Sequence, residues 1–79
     1  MTLGQRLKEL RCEKEFSQHE IAKLARVAQP TYFAYETDKS TPHINTLDQI
    51  ARVLGMSLND LLEGVDNFEH ESGPRTPAE

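Results

Sequence analysis

Apolar residues return at helical spacing along most of this chain. Leu3, Leu7 and Leu10 are separated by four and three positions, which places them on one side of an α-helix. Ile21, Leu24 and Ala25 form a second stripe; Leu47, Ile50, Ala51 and Leu54 form another. Leu58, Leu61, Leu62 and Val65 form the last. Polar starts precede these stripes. Thr2 with Gln5 and Ser17 with Glu20 match the capping box, in which each residue of the pair bonds the other's backbone amide. Asn45 with Asp48 and Ser57 with Asp60 are weaker versions, since Asp replaces Glu or Gln. A fifth helix is expected at 29–36, with Pro30 in the first turn, where no intrahelical acceptor is lost. No strand-like alternation occurs, so the pattern predicts an all-α domain of five short helices.

The second and third helices, expected at 18–25 and 29–36, are joined by only a few residues, the arrangement of a helix-turn-helix. Ile21, Ala25, Val27, Tyr32 and Tyr35 occupy the positions such a pair must bury, and the small Ala22 permits close approach.

Composition adds boundaries. The net charge of −4 belongs entirely to the end of the chain: residues 1–62 hold eight basic and eight acidic side chains, whereas 63–79 hold one and five. The domain expected at 1–65 is therefore near neutral, which neither excludes nor demands nucleic acid. Residues 66–79, with Gly73, Pro74 and Pro77, read as an acidic, disordered tail. No apolar run approaches the ~18 residues of a membrane span. The start MTLGQRLKEL is amphipathic rather than a leader peptide, and the single Cys12 fits a reducing cytoplasm. Cys12 lies half a turn from the apolar stripe, next to Glu13, a poor setting for a reactive thiol. His19, His43 and His70 lack metal-ligand spacing and are expected to face solvent. There is no phosphate-binding glycine loop, zinc pattern or nucleophile–His pairing, so neither an enzyme nor a cofactor is expected.

The segment SQHEIAKLARVAQPTYFAYE resembles the helix-turn-helix of the lambda-repressor/Cro-like (Xre-type) transcriptional regulators. LGQRLKELRCEKEFSQ and STPHINTLDQIARVLGMSLNDLLEG resemble the rest of that domain, over about residues 3–64. The resemblance implies a dimeric repressor that sets helix three in the major groove of a palindromic operator. It implies that Gln18 contacts a phosphate and also a recognition-helix side chain. Gln29 takes the position of a base reader, and Gln pairs in two places with adenine. Pro30, Thr31, Phe33 and Ala34 take the remaining groove-facing positions, and Thr37 and Lys39 a segment that touches the DNA backbone. Arg11 and Glu36 match a family ion pair joining helices one and three. Leu58, Leu61, Leu62 and Val65 match a dimerising last helix.

This sequence also departs from the family. Glu15, Arg26 and Asp38 stand where glycine is usual, costing roughly 1 kcal/mol each if the turns remain left-handed. Ala28 replaces the usual Ser or Thr cap of helix three. Phe33 and Ala34 replace polar residues; as groove residues they suit thymine methyl groups. Phe33, the neutral domain and the acidic tail equally fit a protein-interaction module, such as an antitoxin or an adaptor that binds a toxin or another regulator.

Overall fold

The computed structural model describes residues 1–66. Five helices follow in order: α1 (Leu3–Glu13), α2 (Gln18–Ala25), α3 (Gln29–Glu36), α4 (Ile44–Val53) and α5 (Leu58–Leu62). Among the described residues there is no strand. The expected tail, with Phe68 and His70, lies outside them from residue 67 onward.

Local chemistry sets the helix starts. Thr2 and Ser17 form complete capping boxes with Gln5 and Glu20. Ser57 accepts from the Asp60 amide, giving the cap of α5. Helix α4 departs from expectation. Its cap is His43, whose side chain accepts from the Asn45 amide at 3.4 Å, and Asn45 lies inside the helix. The fully buried Pro42 fixes the entry of the chain two residues earlier than the expected cap. Asp48 therefore sits beyond the first turn and pairs instead with Arg52, one turn on, at 3.1 Å.

The ends of the first four helices share one device. Glu15, Arg26 and Asp38 adopt φ of 61°, 62° and 61°, and Gly55 adopts 76°. In each case the next amide reaches back to close the helix: Phe16 to the Arg11 carbonyl, Val27 to Ala22, Lys39 to Ala34 and Met56 to Ala51. Three of these turns bear the cost of a side chain in a left-handed conformation. At two of them, Glu15 and Arg26, the residue that follows, Phe16 and Val27 respectively, packs against the core, which offsets that cost.

The core joins Leu3, Leu7 and Leu10 of α1 with Ile21, Ala22 and Ala25 of α2, Tyr32 and Tyr35 of α3, Leu47, Ile50 and Ala51 of α4, Leu54, and Leu61 of α5. Leu24, expected in the stripe of α2, is 55% exposed. Eight residues give the helix little more than two turns, and Ile21, Ala22 and Ala25 already fill the face that packs inward.

Candidate nucleic-acid interface

Helix α3 has two unlike faces. Its inner face is fixed to α1 and α2 by a dense polar cluster. The Arg11 guanidinium donates from Nε to Glu36 Oε2 at 2.6 Å and from Nη2 to Oε1 at 3.2 Å. Its Nη1 donates to the Phe16 carbonyl at 2.9 Å, so the charge is also satisfied by a turn. Gln18 Nε2 donates to Glu36 Oε1 at 3.0 Å. The ion pair and the Gln18 bond to α3 follow the expected pattern, and the α3 partner of Gln18 is Glu36.

Burial alone would push the Glu36 carboxyl up, because a charge is poorly solvated there. The hydrogen bonds from Arg11 and Gln18, the dipole of the nearby Tyr32 hydroxyl and the Arg11 charge together outweigh it and hold the carboxyl below its ordinary value. The hydrogen bond to Glu36 raises Arg11 in turn. Burial, then the adjacent Glu36, push the Tyr32 phenol far above its usual range. That hydroxyl makes no hydrogen bond of good geometry; its influence is that of a dipole beside the carboxylate. The Tyr32 ring is held edge-on to Tyr35, with centroids 6.4 Å apart and planes at 77°.

A second seam ties the end of α3 to the start of α1. Gly4 lies so close that a Cβ there would collide with the Glu36 carbonyl and the Asp38 carboxylate. The same carboxylate accepts from the Gly4 amide at 3.0 Å and the Thr2 hydroxyl at 2.7 Å. Asp38, which sequence reasoning counted only as a strained turn, thus places negative charge on the N-terminus of α1.

The outer face carries the expected groove residues. Gln29, Pro30, Thr31 and Phe33 are exposed, Phe33 at 47%, while Ala34 is half-buried. Ala28 gives no side-chain cap, as its chemistry requires. Gln18 stands half-buried at the start of α2 and Gln29 at the start of α3, which brings two amide side chains to adjacent helix N-termini. Thr37 and Lys39 follow α3 and are exposed, although the Thr37 hydroxyl already donates to the carbonyls of Phe33 at 3.0 Å and Ala34 at 3.3 Å.

Two further polar contacts escaped sequence reasoning. His19, expected to face solvent, is exposed but stands 3.2 Å from Gln29, its Nδ1 against the amide Oε1. Its place beside Gln18 in the first turn of α2 was the available signal. Arg6 donates to the carbonyls of Asp60 at 2.8 Å and Leu61 at 3.0 Å, clamping α5 to α1. Neither partner is a side chain, so no charge pattern could point to it. Among the residues expected at a dimer face, Leu61 is fully buried in the chain's own core and offers no surface. Leu58, Leu62 and Val65 are half-buried. No helix among the described residues is long and apolar enough to cross a membrane.

The profile of the helix-turn-helix family matches residues 7–61. The HTH-type transcriptional regulator DdrOP3 of Deinococcus deserti is 32% identical over 77 residues, covering 98% of this chain and 60% of that protein's length. A crystal structure of SinR, master regulator for biofilm formation, in complex with DNA superimposes with a TM-score of 0.74 at 36% identity, over 78% of this chain and all of that one. SinR in its complex with SinI matches with a TM-score of 0.75 at 32% identity, over 89% of this chain and 73% of that one. The chain belongs to the helix-turn-helix family of Xre/lambda-repressor-like transcriptional regulators.

Proposed function

We propose that this chain is a sequence-specific DNA-binding repressor, acting in the cytoplasm and without catalytic activity of its own. The observation that carries the reading is the division of α3: an inner face immobilised by Arg11, Glu36, Gln18 and Gly4, and an outer face that presents Gln29, Pro30, Thr31 and Phe33. A rigidly seated helix with an exposed reading edge is what major-groove docking requires. Gln29 reads adenine through its amide, and Phe33 with Ala34 packs on thymine methyl groups. The half-buried Gln18 and the exposed Thr37 and Lys39 contact the phosphate backbone. Two copies join through Leu58, Leu62 and Val65 and meet a palindrome with half-sites about 10 base pairs apart. Repression follows when that dimer occupies a promoter.

A second reading has its own support. Leu24 and Phe33 are large apolar side chains that stay about half exposed, and one similar structure is a complex with a protein partner, SinI. A surface for a regulatory protein partner would use them. Selection of bound duplexes from a random DNA pool separates the two. The DNA-binding reading expects enrichment of a palindrome; a pool that stays random favours the protein-partner reading.

A further inference from the structure

We propose that His19 is a specificity-determining residue, which acts by orienting the amide of Gln29. The inference rests on the DNA-binding reading and adds to it a residue outside the recognition helix.

His19 is the second residue of α2 and Gln29 the first of α3. Their side chains meet across the turn, with His19 Nδ1 3.2 Å from Gln29 Oε1. The neighbouring Gln18 turns inward to Glu36, so His19 is the α2 side chain that reaches the reader. A side-chain amide has an acceptor end and a donor end, and rotation about its last bond exchanges them. Adenine demands one order: the oxygen accepts from N6 while the nitrogen donates to N7. An amide oxygen only accepts, so in the form that carries hydrogen on Nδ1 His19 donates to Oε1, which fixes the oxygen on the side of α2 and leaves both amide hydrogens turned away. A second lone pair on Oε1 stays open to a base. The amide therefore enters the groove already oriented, which spares the entropy of fixing it on docking. Both residues are exposed, so the contact lies at the reading edge rather than in the core.

The test uses the full chain, the duplex recovered from the random pool, and single-base-pair variants of that duplex, read by fluorescence anisotropy. Gln29→Ala first identifies the base pair at which discrimination depends on Gln29. At that pair, His19→Ala should lower the discrimination ratio by about three- to tenfold, part of what a bidentate amide–base pair supplies. Affinity for a scrambled duplex should not change. His19→Asn should restore the ratio, because its amide nitrogen returns a donor near the position of Nδ1. In the Gln29→Ala background, His19→Ala should have no further effect. The proposal is overturned if His19→Ala keeps the ratio, if it lowers the ratio equally without Gln29, or if Gln29→Ala alters discrimination nowhere. A wild-type chain that prefers no duplex overturns the DNA-binding reading itself, and this inference with it.

Discussion

The two faces of α3 belong to one eight-residue helix and obey different physics. Inward, Glu36 is 8% exposed and receives three hydrogen bonds, while Gly4 leaves its backbone no room to move. Outward, Phe33 is 47% exposed and Gln29 has one polar neighbour, His19. The inner face is over-determined so that the outer one can be under-determined. A helix with no side-chain cap and only eight residues would not hold its own conformation in isolation. Its order comes from the cluster behind it, and its reading residues are left to a partner.

That contrast can be broken first at Arg11. Arg11→Met should destabilise the fold by about 3–5 kcal/mol, because it leaves the buried Glu36 charge without its cation. A shift in the urea midpoint measures it, and a loss under about 1 kcal/mol would mean that the inner face is not fixed electrostatically.

Acid should act on the same residue. An unfolded glutamate titrates near about 4.3, and folded Glu36 titrates lower. Its stabilisation is fully present above the unfolded value and is lost as pH falls through the folded one. In Arg11→Met, burial becomes the dominant influence and should raise the carboxyl above its ordinary value. The sign then reverses, and the contribution of Glu36 should grow as pH falls. Thermal melts of both proteins between about pH 3 and 6 show whether the slopes differ.

Gly4→Ala should cost roughly 2 kcal/mol even though alanine favours helix, because the new methyl meets the Glu36 carbonyl, a backbone atom. On the outer face the balance inverts. Phe33→Ser should change stability by less than about 0.5 kcal/mol and weaken operator binding by roughly tenfold. Replacing operator thymines with uracil should cost wild type affinity that Phe33→Ser has already lost. An equal penalty in both would remove the methyl contact.

Much of the frame was legible in the residues, because the signals are local. Thr2 and Ser17 each carry their own capping partner three residues on, and α2 and α3 run between the expected residues. The family resemblance located the three left-handed turns and the Arg11–Glu36 pair. What stayed hidden was non-local. Asp38 caps a helix that begins 35 positions earlier in the chain, and Gly4 is small because of a carbonyl on α3. Leu24 has the right spacing for the core, yet spacing cannot say how wide a face a two-turn helix buries. His43 is a rare cap, and Asn45, a favoured one, stood two residues away. In the recognition segment, sequence pointed to the residues but not to the orientation of Gln29, since its partner His19 lies on α2, ten residues earlier, and only its place beside Gln18 marked it.

The central claim, that the outer face of α3 reads DNA, is tested most directly by anisotropy titration of the wild-type chain against the selected duplex and a scrambled one. A DNA-reading α3 should bind the selected duplex at least about a thousandfold more tightly, with affinity falling steeply as salt rises. Equal affinity for the two duplexes would contradict it.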